Sequence, residues 1–326
     1  MASRNRLLNR FYRNLLGTAF PVAVWSCRHL PARVLDLAIR AIIATFMLLR
    51  PKYGRAVRSN YARILDASQD SPRVRALARR MMLNHMRYWA EFFYWSGRGA
   101  EAARAAILEV RNQQALDGCI ASGRGCLVLT AHLGNWEMGG LLLEDRAREV
   151  AVVYVPDRFE VIESYRSRYR RLARVTEIPI GDNAFSALPV IRVLRSGGVV
   201  AVQGDRDFDD SGVPVPFFGK PARFPRGPVV LAMMAKVPIL PVFILQSEEK
   251  SRGGFRIVFF DPIEPQGDPR DLPAVDAVVA RIAATIESIV REAPAQWYCF
   301  YPFWEDTAAI PPAADQSRRV APTAAT

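Results

Sequence analysis

The chain has 326 residues, of which 50% are hydrophobic and 23% are charged. These values are ordinary for a globular protein and exclude wholesale disorder, and the length excludes a minimal binding module. The net charge of +12 is unevenly distributed, because residues 1–60 hold eleven basic residues and a single acidic residue, Asp36. This basic segment indicates an anionic partner, either a nucleic acid or the cytoplasmic leaflet of a membrane.

The apolar residues between these charges favour a membrane. Leucine and aromatic residues recur at helical spacing from Arg4 to Leu16, and residues 35–49 form a second apolar run with few charges. Basic amphipathic helices of this kind lie in bilayer interfaces. Residues 15–27 are apolar, but Pro21 interrupts them and they fall short of the ~20 residues of a spanning helix. We expect residues 1–55 to associate peripherally with the membrane. One alternative is a tilted or shallow insertion through residues 31–50. The other is that these helices cover the core of the domain and carry their arginines on a solvated face.

The rest of the chain divides into a helical part and an alternating part. Up to residue 120 the pattern predicts helices, one of which starts at Ser71 and Pro72 and ends at Gly97. After Gly123, β-rich runs follow at residues 126–131, 150–155, 175–180, 199–203, 239–245 and 255–260. Helical segments lie between them at residues 136–146, 159–172, 184–196, 226–236 and 273–292.

This alternation predicts an α/β fold with a mostly parallel central sheet flanked by helices. Three regions follow from the pattern. Residues 1–55 are the membrane-associating helices, residues 56–306 form the α/β domain, and residues 307–326 are a disordered tail rich in alanine, proline and threonine.

Among three histidines, His132 is the strongest candidate for a general base, whereas His29 and His85 are interpreted as structural. It directly follows the predicted strand 126–131, and ligand sites of parallel sheets lie at the carboxyl ends of strands. Gly134 permits a tight turn before a helix whose first turn contains Glu137. We predict that Glu137 accepts a hydrogen bond from the imidazole and fixes its tautomer. This is the logic of a hydrolytic triad whose nucleophile comes from the substrate.

Further candidate binding residues follow other strands. Asp205, Arg206 and Asp207 come after the predicted strand 199–203 and are expected to bind substrate; the alternative is a solvated acidic loop. The arginine-rich segment 157–174 contains Arg158 and Arg168, whose guanidinium groups suit phosphate oxygens. The alternative there is an exposed helix with internal ion pairs.

Phe218 and Gly219 are predicted to form an apolar edge of an acyl pocket or a membrane-facing loop, with plain packing as the alternative.

Several blocks of residues together resemble the bacterial lysophospholipid acyltransferase-like enzymes of the lipid A lauroyl/myristoyl acyltransferase type, and also the phosphatidylinositol mannoside acyltransferases. The blocks are residues 57–60, 86–91, 131–137 (Ala-His-Leu-Gly-Asn-Trp-Glu), 204–208 (Gly-Asp-Arg-Asp-Phe), 215–219, 227–228, 239–242 and 296–297, with Trp304. One departure concerns the lipid A group, which has Tyr-Arg-Pro after its second strand. This chain reads Tyr-Val-Pro-Asp-Arg over residues 154–158, so either Arg158 substitutes for that arginine or the acceptor head group differs.

The resemblance implies a glycerolipid acyltransferase-like fold and transfer of an acyl chain from an acyl thioester to a hydroxyl of a lipid or glycolipid. The thioester is acyl-coenzyme A or acyl carrier protein, and no further cofactor or metal is expected. The resemblance also implies that His132 is the base, that Glu137 supports it, and that Asn135 contacts substrate. Membrane lipids at the cytoplasmic face of the inner membrane are the expected partners, together with the carrier protein if it is the donor, and no nucleic acid.

Two other functions remain open from the residues alone. The same site could use water as nucleophile, which would make the protein a thioesterase or lipid hydrolase. Alternatively, the fold could serve as a non-catalytic lipid-binding protein. Product analysis separates the first from a transferase, because a hydrolase releases free fatty acid whether or not an acceptor is present.

Overall fold

The computed structural model describes residues 19–49, 51–143, 147–157, 159–180, 187–208, 211–247 and 254–304. Among these residues, five helices precede the sheet: α1 (residues 19–29), α2 (Ala32–Leu49), α3 (Pro51–Ile64), α4 (Pro72–Ser96) and α5 (Gly99–Ala105). The predicted start of α4 is confirmed, because the Ser71 hydroxyl accepts a hydrogen bond from the Val74 backbone N–H and proline occupies the first helical position.

A seven-stranded sheet forms the centre of the molecule. Its strands are β1 (Ile107–Arg111), β2 (Cys126–Thr130), β3 (Val150–Tyr154), β4 (Val175–Pro179), β5 (Val199–Gln203), β8 (Ile239–Gln246) and β9 (Phe255–Phe259), in the order β1-β9-β8-β2-β5-β3-β4. Every neighbouring pair is parallel except β8 and β9. The predicted α/β fold with a mostly parallel sheet is therefore confirmed.

Helices cover both faces of this sheet. They are α6 (Gln113–Ala121), α7 (Gly139–Leu143), α8 (Glu160–Leu172), α9 (Ala187–Arg195), α10 (Gly227–Ala235) and α11 (Leu272–Glu292). In β2, Leu127 and Leu129 pack with residues of α9, α10 and α11, whereas Cys126 and Val128 pack with residues of α4, α6 and α8. Because side chains alternate along a strand, β2 is apolar on both faces and lies in the middle of the core.

Two predicted features of the fold are wrong. The region before residue 120 is not entirely helical, because β1 pairs with β9 at the sheet edge. The antiparallel pair of β6 (Val213–Phe217) and β7 (Lys220–Phe224) was also absent from the predicted strands. Charged residues in β1 and prolines at 214, 216 and 221 obscure the apolar pattern of these strands.

The amino-terminal helices show apolar residues on two sides. Leu35 and Ile39 of α2 are buried against the body, while Leu37, Ile42 and Leu48 are exposed by 70%, 54% and 80%. Within the part of the chain that the structure describes, no helix is both long and apolar enough to cross a bilayer. The predicted basic helix before residue 19 and the predicted tail at 307–326 lie outside the described residues.

A carboxy-terminal segment, residues 294–304, is tied to α3. The Asn60 side-chain amide donates to the Tyr301 carbonyl at 2.8 Å, and the Phe303 N–H donates to Asn60 Oδ1 at 3.0 Å. The Tyr61 hydroxyl donates to the Pro294 carbonyl at 2.8 Å. These contacts fix the segment that carries Trp297 beside the carboxyl end of β2.

Candidate active site

His132 and Asp205 form the centre of the site. His132 follows β2 and Asp205 follows the neighbouring parallel strand β5, so both emerge at the same edge of the sheet. The ring Nδ1 of His132 lies 2.7 Å from Asp205 Oδ1, and the His132 backbone N–H donates to both carboxylate oxygens at 3.1 Å. The Trp297 indole N–H donates to Asp205 Oδ2 at 3.1 Å. Three donors therefore fix this carboxylate.

These contacts set the protonation states of the pair. Burial raises the pKa of Asp205, but the imidazole, Arg206 and the Trp297 indole outweigh burial and lower this pKa to about 2. An ionised carboxylate only accepts hydrogen bonds, so Nδ1 carries the ring hydrogen and Nε2 keeps its lone pair. Burial and the positive charge of Arg206 lower the pKa of His132, and these effects exceed the opposing effect of Asp205. The ring is thus neutral at neutral pH, as a general base must be.

Glu137 has different partners from the predicted one. It lies in the 3₁₀ turn Trp136–Met138, and its Oε1 lies 3.3 Å from Arg166 Nε and 3.4 Å from Arg170 Nη2. The predicted hydrogen bond from the imidazole to Glu137 is wrong, because Asp205 occupies Nδ1. The reason is the strand order, which places the residue after β5 at the same sheet edge as His132, while two arginines of α8 attract Glu137. A catalytic role for Glu137 stays a prediction.

Of the arginines in the segment 157–174, Arg166 and Arg170 reach the site, and they share one side of α8 at i and i+4 spacing. They are 15% and 6% exposed, and Arg170 also pairs with Glu177 at 3.1 Å. Arg168 is exposed. It lies two residues from both Arg166 and Arg170, and two residues turn a helix by more than half a circle, so its side chain is on the opposite side of α8. The predicted substrate contact of Arg168 is therefore not supported by its position, and Arg158 lies outside the described residues.

Arg206 and Asp207 follow Asp205 and have separate roles. Arg206 lines the cavity described below, and its Nη2 donates to the Tyr298 carbonyl at 2.8 Å. Asp207 Oδ2 accepts a hydrogen bond from the Gly212 N–H at 2.9 Å, directly before β6. Of these three predicted binding residues, the first holds the histidine, the second faces the cavity and the third binds the Gly212 backbone.

A buried polar network supports the turn after His132. The Asn135 N–H donates to the Ile244 carbonyl at 2.7 Å, and the Asn135 side-chain amide donates to Glu91 Oε2 at 3.3 Å. Gln246 donates to the same Glu91 oxygen at 2.9 Å, and Gln296 forms two hydrogen bonds with the Gln246 backbone. The sequence predicts substrate contact for Asn135, but this residue is fully buried and anchors the turn instead.

His132 lines a cavity of ≈ 2230 Å³ whose lining includes side chains from both faces of the sheet, among them Ala151, Val202 and Ile178 on the face opposite to Val128. On the face that carries Val128, the wall consists of alternate strand residues, whose side chains point the same way. We call this wall the apolar strip: Val128 and Thr130 of β2, Val152 and Tyr154 of β3, Ala201 and Gln203 of β5, Val242 and Ile244 of β8, and Ile257 and Phe259 of β9. Most of these side chains are apolar, so the strip suits a hydrocarbon chain.

Aromatic and charged side chains line the other part of the cavity. The Trp136 ring centroid lies 5.6 Å from that of His132 and 4.5 Å from that of Tyr88. The charged residues on this part of the wall are Asp157, Glu137, Arg166, Arg170 and Arg206, while Arg104 and Arg226 line the cavity elsewhere. Burial and the nearby arginines lower the pKa of His85, which also lines the cavity, to about 3, so its ring is neutral. The cavity thus combines an apolar strip with a polar region that contains guanidinium groups.

Phe218 and Gly219 do not line this cavity. They form the turn between β6 and β7, where both have positive φ values of 48° and 73°. The Phe218 N–H donates to Glu287 of α11 at 2.6 Å, and the Phe218 ring is buried against Phe217 and Trp304. The structure therefore supports the packing alternative and not the predicted edge of an acyl pocket.

Residues 5–306 match the model of the bacterial lipid A biosynthesis acyltransferase family. The chain belongs to this acyltransferase family. Phosphatidylinositol mannoside acyltransferases from two strains of Mycobacterium tuberculosis are 26% identical to this acyltransferase over 307 residues, which cover 90% of this chain and 89% of each relative. The enzyme of that name from Mycolicibacterium smegmatis is 26% identical over 258 residues, covering 76% and 78%. The family predicted from the sequence is thus confirmed.

Three features of the acyltransferase site are only partly visible in the sequence. Asp205 was predicted to bind substrate and not to hold the histidine, and their separation of 73 positions left no local signal for that pairing. Arg166 and Arg170 had such a signal, because their i and i+4 spacing predicts a shared helix face. Trp297, whose indole binds Asp205, belonged to a matching block, but nothing in its neighbourhood indicated a hydrogen bond to the site.

Proposed function

We propose that this acyltransferase moves a fatty acyl chain from an acyl thioester to a hydroxyl of a glycolipid, with His132 as the general base. The observation that carries the proposal is the hydrogen bond between His132 Nδ1 and Asp205 Oδ1, because it leaves Nε2 of a cavity-lining ring as the proton acceptor. An alcohol is a weak nucleophile at neutral pH, and a positioned base accelerates its reaction by roughly 10²–10⁴-fold. Asp205 keeps the tautomer and stabilises the imidazolium that forms.

The acceptor in this proposal is a phosphoglycolipid or a molecule similar to a lipid A precursor. Arg166, Arg170 and Arg206 supply guanidinium groups in the polar part of the cavity, and guanidinium groups suit phosphate oxygens. The apolar strip supplies room for the acyl chain. The names of the mycobacterial relatives support a glycolipid acceptor. The donor is acyl-coenzyme A or acyl carrier protein, and the thioester is a co-substrate that needs no further cofactor.

The decisive experiment combines the purified full chain with each thioester and with candidate glycolipid acceptors. We expect release of free thiol and an acylated lipid detected by mass spectrometry, and we expect His132→Ala to lower kcat by at least about 10²-fold. His29→Ala is the matched control, because His29 is exposed on α1 and should leave kcat unchanged.

Two outcomes contradict this assignment. Unchanged turnover in His132→Ala excludes the proposed base. Free fatty acid formed at the same rate with and without an acceptor identifies a hydrolase instead of a transferase.

We further propose that residues 1–55 bind the cytoplasmic face of the inner membrane. The exposed apolar residues of α2 support this proposal, as does the +10 charge of residues 1–60. Vesicles of phosphatidylcholine with phosphatidylglycerol should carry the chain in a flotation assay, and pure phosphatidylcholine should carry less. The double variant Leu37→Gln, Leu48→Gln should remain at the bottom of the gradient. The control Leu108→Gln changes a leucine of β1 that is 61% exposed, and it should float like the wild type.

A further inference from the structure

Gln203 is half-buried, and its side-chain nitrogen has no hydrogen-bond partner among the described residues. It ends β5 and lines the cavity, and its side-chain Nε2 is shielded from solvent without forming a hydrogen bond. Buried polar groups of folded proteins nearly always have a partner, so an unpaired one requires an explanation. An oxygen atom of a bound substrate would supply the missing acceptor.

The position of Gln203 indicates which substrate oxygen this is. On the same strand, Ala201 precedes it by two residues on the apolar strip, and Asp205 follows it by two residues and holds His132. The first interval is roughly 7 Å of extended chain, and Asp205 lies just beyond the end of the strand. In the sheet register Gln203 lies opposite Thr130, two residues before His132. An acyl chain on the strip and a hydroxyl at His132 would therefore meet beside this carboxamide.

The cationic side chains of the cavity are less suited to this task. Arg206 Nη2 donates to the Tyr298 carbonyl, and Arg170 pairs with Glu177. Arg166 forms ion pairs with Glu137 and Asp157, although its buried Nε makes no hydrogen bond, as is also true of Gln203 Nε2. A neutral amide whose nitrogen lacks a partner loses no existing hydrogen bond when a carbonyl oxygen arrives. It therefore gains more from a new acceptor than a guanidinium that must share its donors.

We propose that the Gln203 carboxamide donates a hydrogen bond to the carbonyl oxygen of the acyl thioester, and to the oxyanion that forms from it. This role rests on the proposed acyl transfer to a hydroxyl. It makes Gln203 a catalytic residue, because its amide touches a reacting atom. A preorganised donor aimed at the oxyanion lowers the barrier, since negative charge develops there in a site that excludes water.

The reaction balances with the residues already named. The acceptor oxygen forms a bond to the thioester carbonyl carbon, its proton passes to His132 Nε2, and the carbonyl electron pair moves onto the oxygen held by Gln203. When that pair returns, the carbon–sulfur bond breaks and the leaving thiolate takes the proton from His132. The products are an ester and a free thiol, and both side chains return to their starting states.

The test replaces Gln203 with methionine, which has a similar length and no N–H group. The proposal predicts that Gln203→Met lowers kcat by about 10²-fold or more, while KM for the thioester changes by less than about threefold. The unfolding temperature should stay the same or rise, because the substitution removes an unpaired buried donor. Gln69→Met, at an exposed glutamine, is the matched control and should match the wild type in both measurements.

A binding experiment without acceptor provides a second readout. It compares the thioester that the wild-type chain turns over with a thioether analogue that lacks the carbonyl oxygen. The wild type should bind the thioester up to about threefold more tightly than the thioether, in keeping with the small expected change in KM, and Gln203→Met should bind the two equally. A residue with only a structural role would not change this preference.

Each other result overturns the proposal. A kcat of Gln203→Met within threefold of the wild type, or a loss of kcat that accompanies a lower unfolding temperature, excludes the oxyanion role and leaves the proposed function intact. A rise in KM for the acceptor alone shows that the amide binds the acceptor instead. If the wild-type chain transfers no acyl group to any acceptor, the proposed function fails, and the role of Gln203 fails with it.

Discussion

The carboxylates of Asp205 and Glu137 belong to one site but have different kinds of partner. Asp205 accepts hydrogen bonds from a neutral imidazole, a backbone N–H and an indole N–H, whereas Glu137 pairs with two guanidinium groups. The first arrangement fixes a tautomer, which is what a proton transfer needs. The second neutralises part of a cationic wall and positions the arginines. The carboxylate nearest to His132 in the sequence is therefore not the one that orients its ring.

The largest expected effect comes from Asp205→Asn. The amide replaces one acceptor oxygen with a donor that faces the His132 ring hydrogen, so the ring loses the tautomer that leaves Nε2 unprotonated. We expect kcat to fall by about 10³–10⁴-fold, as in hydrolases that orient histidine with aspartate. A fall of less than about tenfold would show that the ring is oriented without this carboxylate.

Asp205→Asn should also change how the free energy of unfolding depends on pH. A depressed pKa of about 2, against an ordinary value of 3.8, means that ionised Asp205 stabilises the native state fully above pH 3.8. This contribution, roughly 2 kcal/mol, is lost as the pH falls towards 2. Chemical denaturation should therefore show the variant less stable than the wild type at neutral pH, with the difference shrinking in acid. A constant difference across this range would contradict the proposed ionisation.

A smaller effect is expected from Glu137→Gln. Arg166 and Arg170 would lose one carboxylate partner but keep Asp157 and Glu177, so their side chains should move and still line the cavity. We expect the free energy of unfolding to fall by about 1–3 kcal/mol. We expect kcat to fall by about tenfold, with the acid limb of the pH profile unchanged.

The control for this variant is Glu160→Gln, at an exposed position of α8, which should behave as the wild type. If Glu137→Gln lowered kcat as much as Asp205→Asn, the two carboxylates would share the orienting role. That result would contradict the assignment of this role to Asp205 alone.

The smallest effect concerns the pH profile of kcat/KM. His132 must be neutral to act, and its lowered pKa places the acid limb below pH 6.5. Arg206→Met removes a positive charge that lowers this pKa, so the acid limb should move to higher pH. Arg206→Lys keeps the charge and should keep the limb in place. A limb that does not move in the methionine variant would assign the shift to burial alone.

Much of the fold could be predicted because the deciding signals are local. The strands β2, β3, β4, β5, β8 and β9 are short apolar runs, and α4 begins at a serine and a proline that specify a helix start. The strand β1 could not be found in this way, because Leu108, Glu109 and Val110 are exposed and show no alternation. In β6 and β7, prolines occupy the exposed positions 214, 216 and 221, where a ladder strand is not expected.

The same distinction between local and non-local signals applies to the residues of the site. His132 was found because a turn after a buried strand is a local feature, and its edge of the sheet follows from parallel pairing. Its partner was not, because Asp205 and Trp297 reach it only through the strand order and the folded carboxy-terminal segment. The unpaired nitrogen of Gln203 is likewise invisible in a sequence, since the lack of a partner is a property of the packed structure.

The ties between residues 294–304 and α3 also determine when the site comes into existence. Asn60 and Tyr61 hold a segment more than 230 residues away, and that segment supplies the indole for Asp205 and the N–H that binds the His132 carbonyl. Contacts of such sequence separation form late, because their loop-closure entropy must be overcome first. We therefore expect a nascent chain to form the strands of its sheet before the His132 ring is fully held in place. The carboxylate and the imidazole reach their final arrangement only when the carboxy-terminal segment has docked.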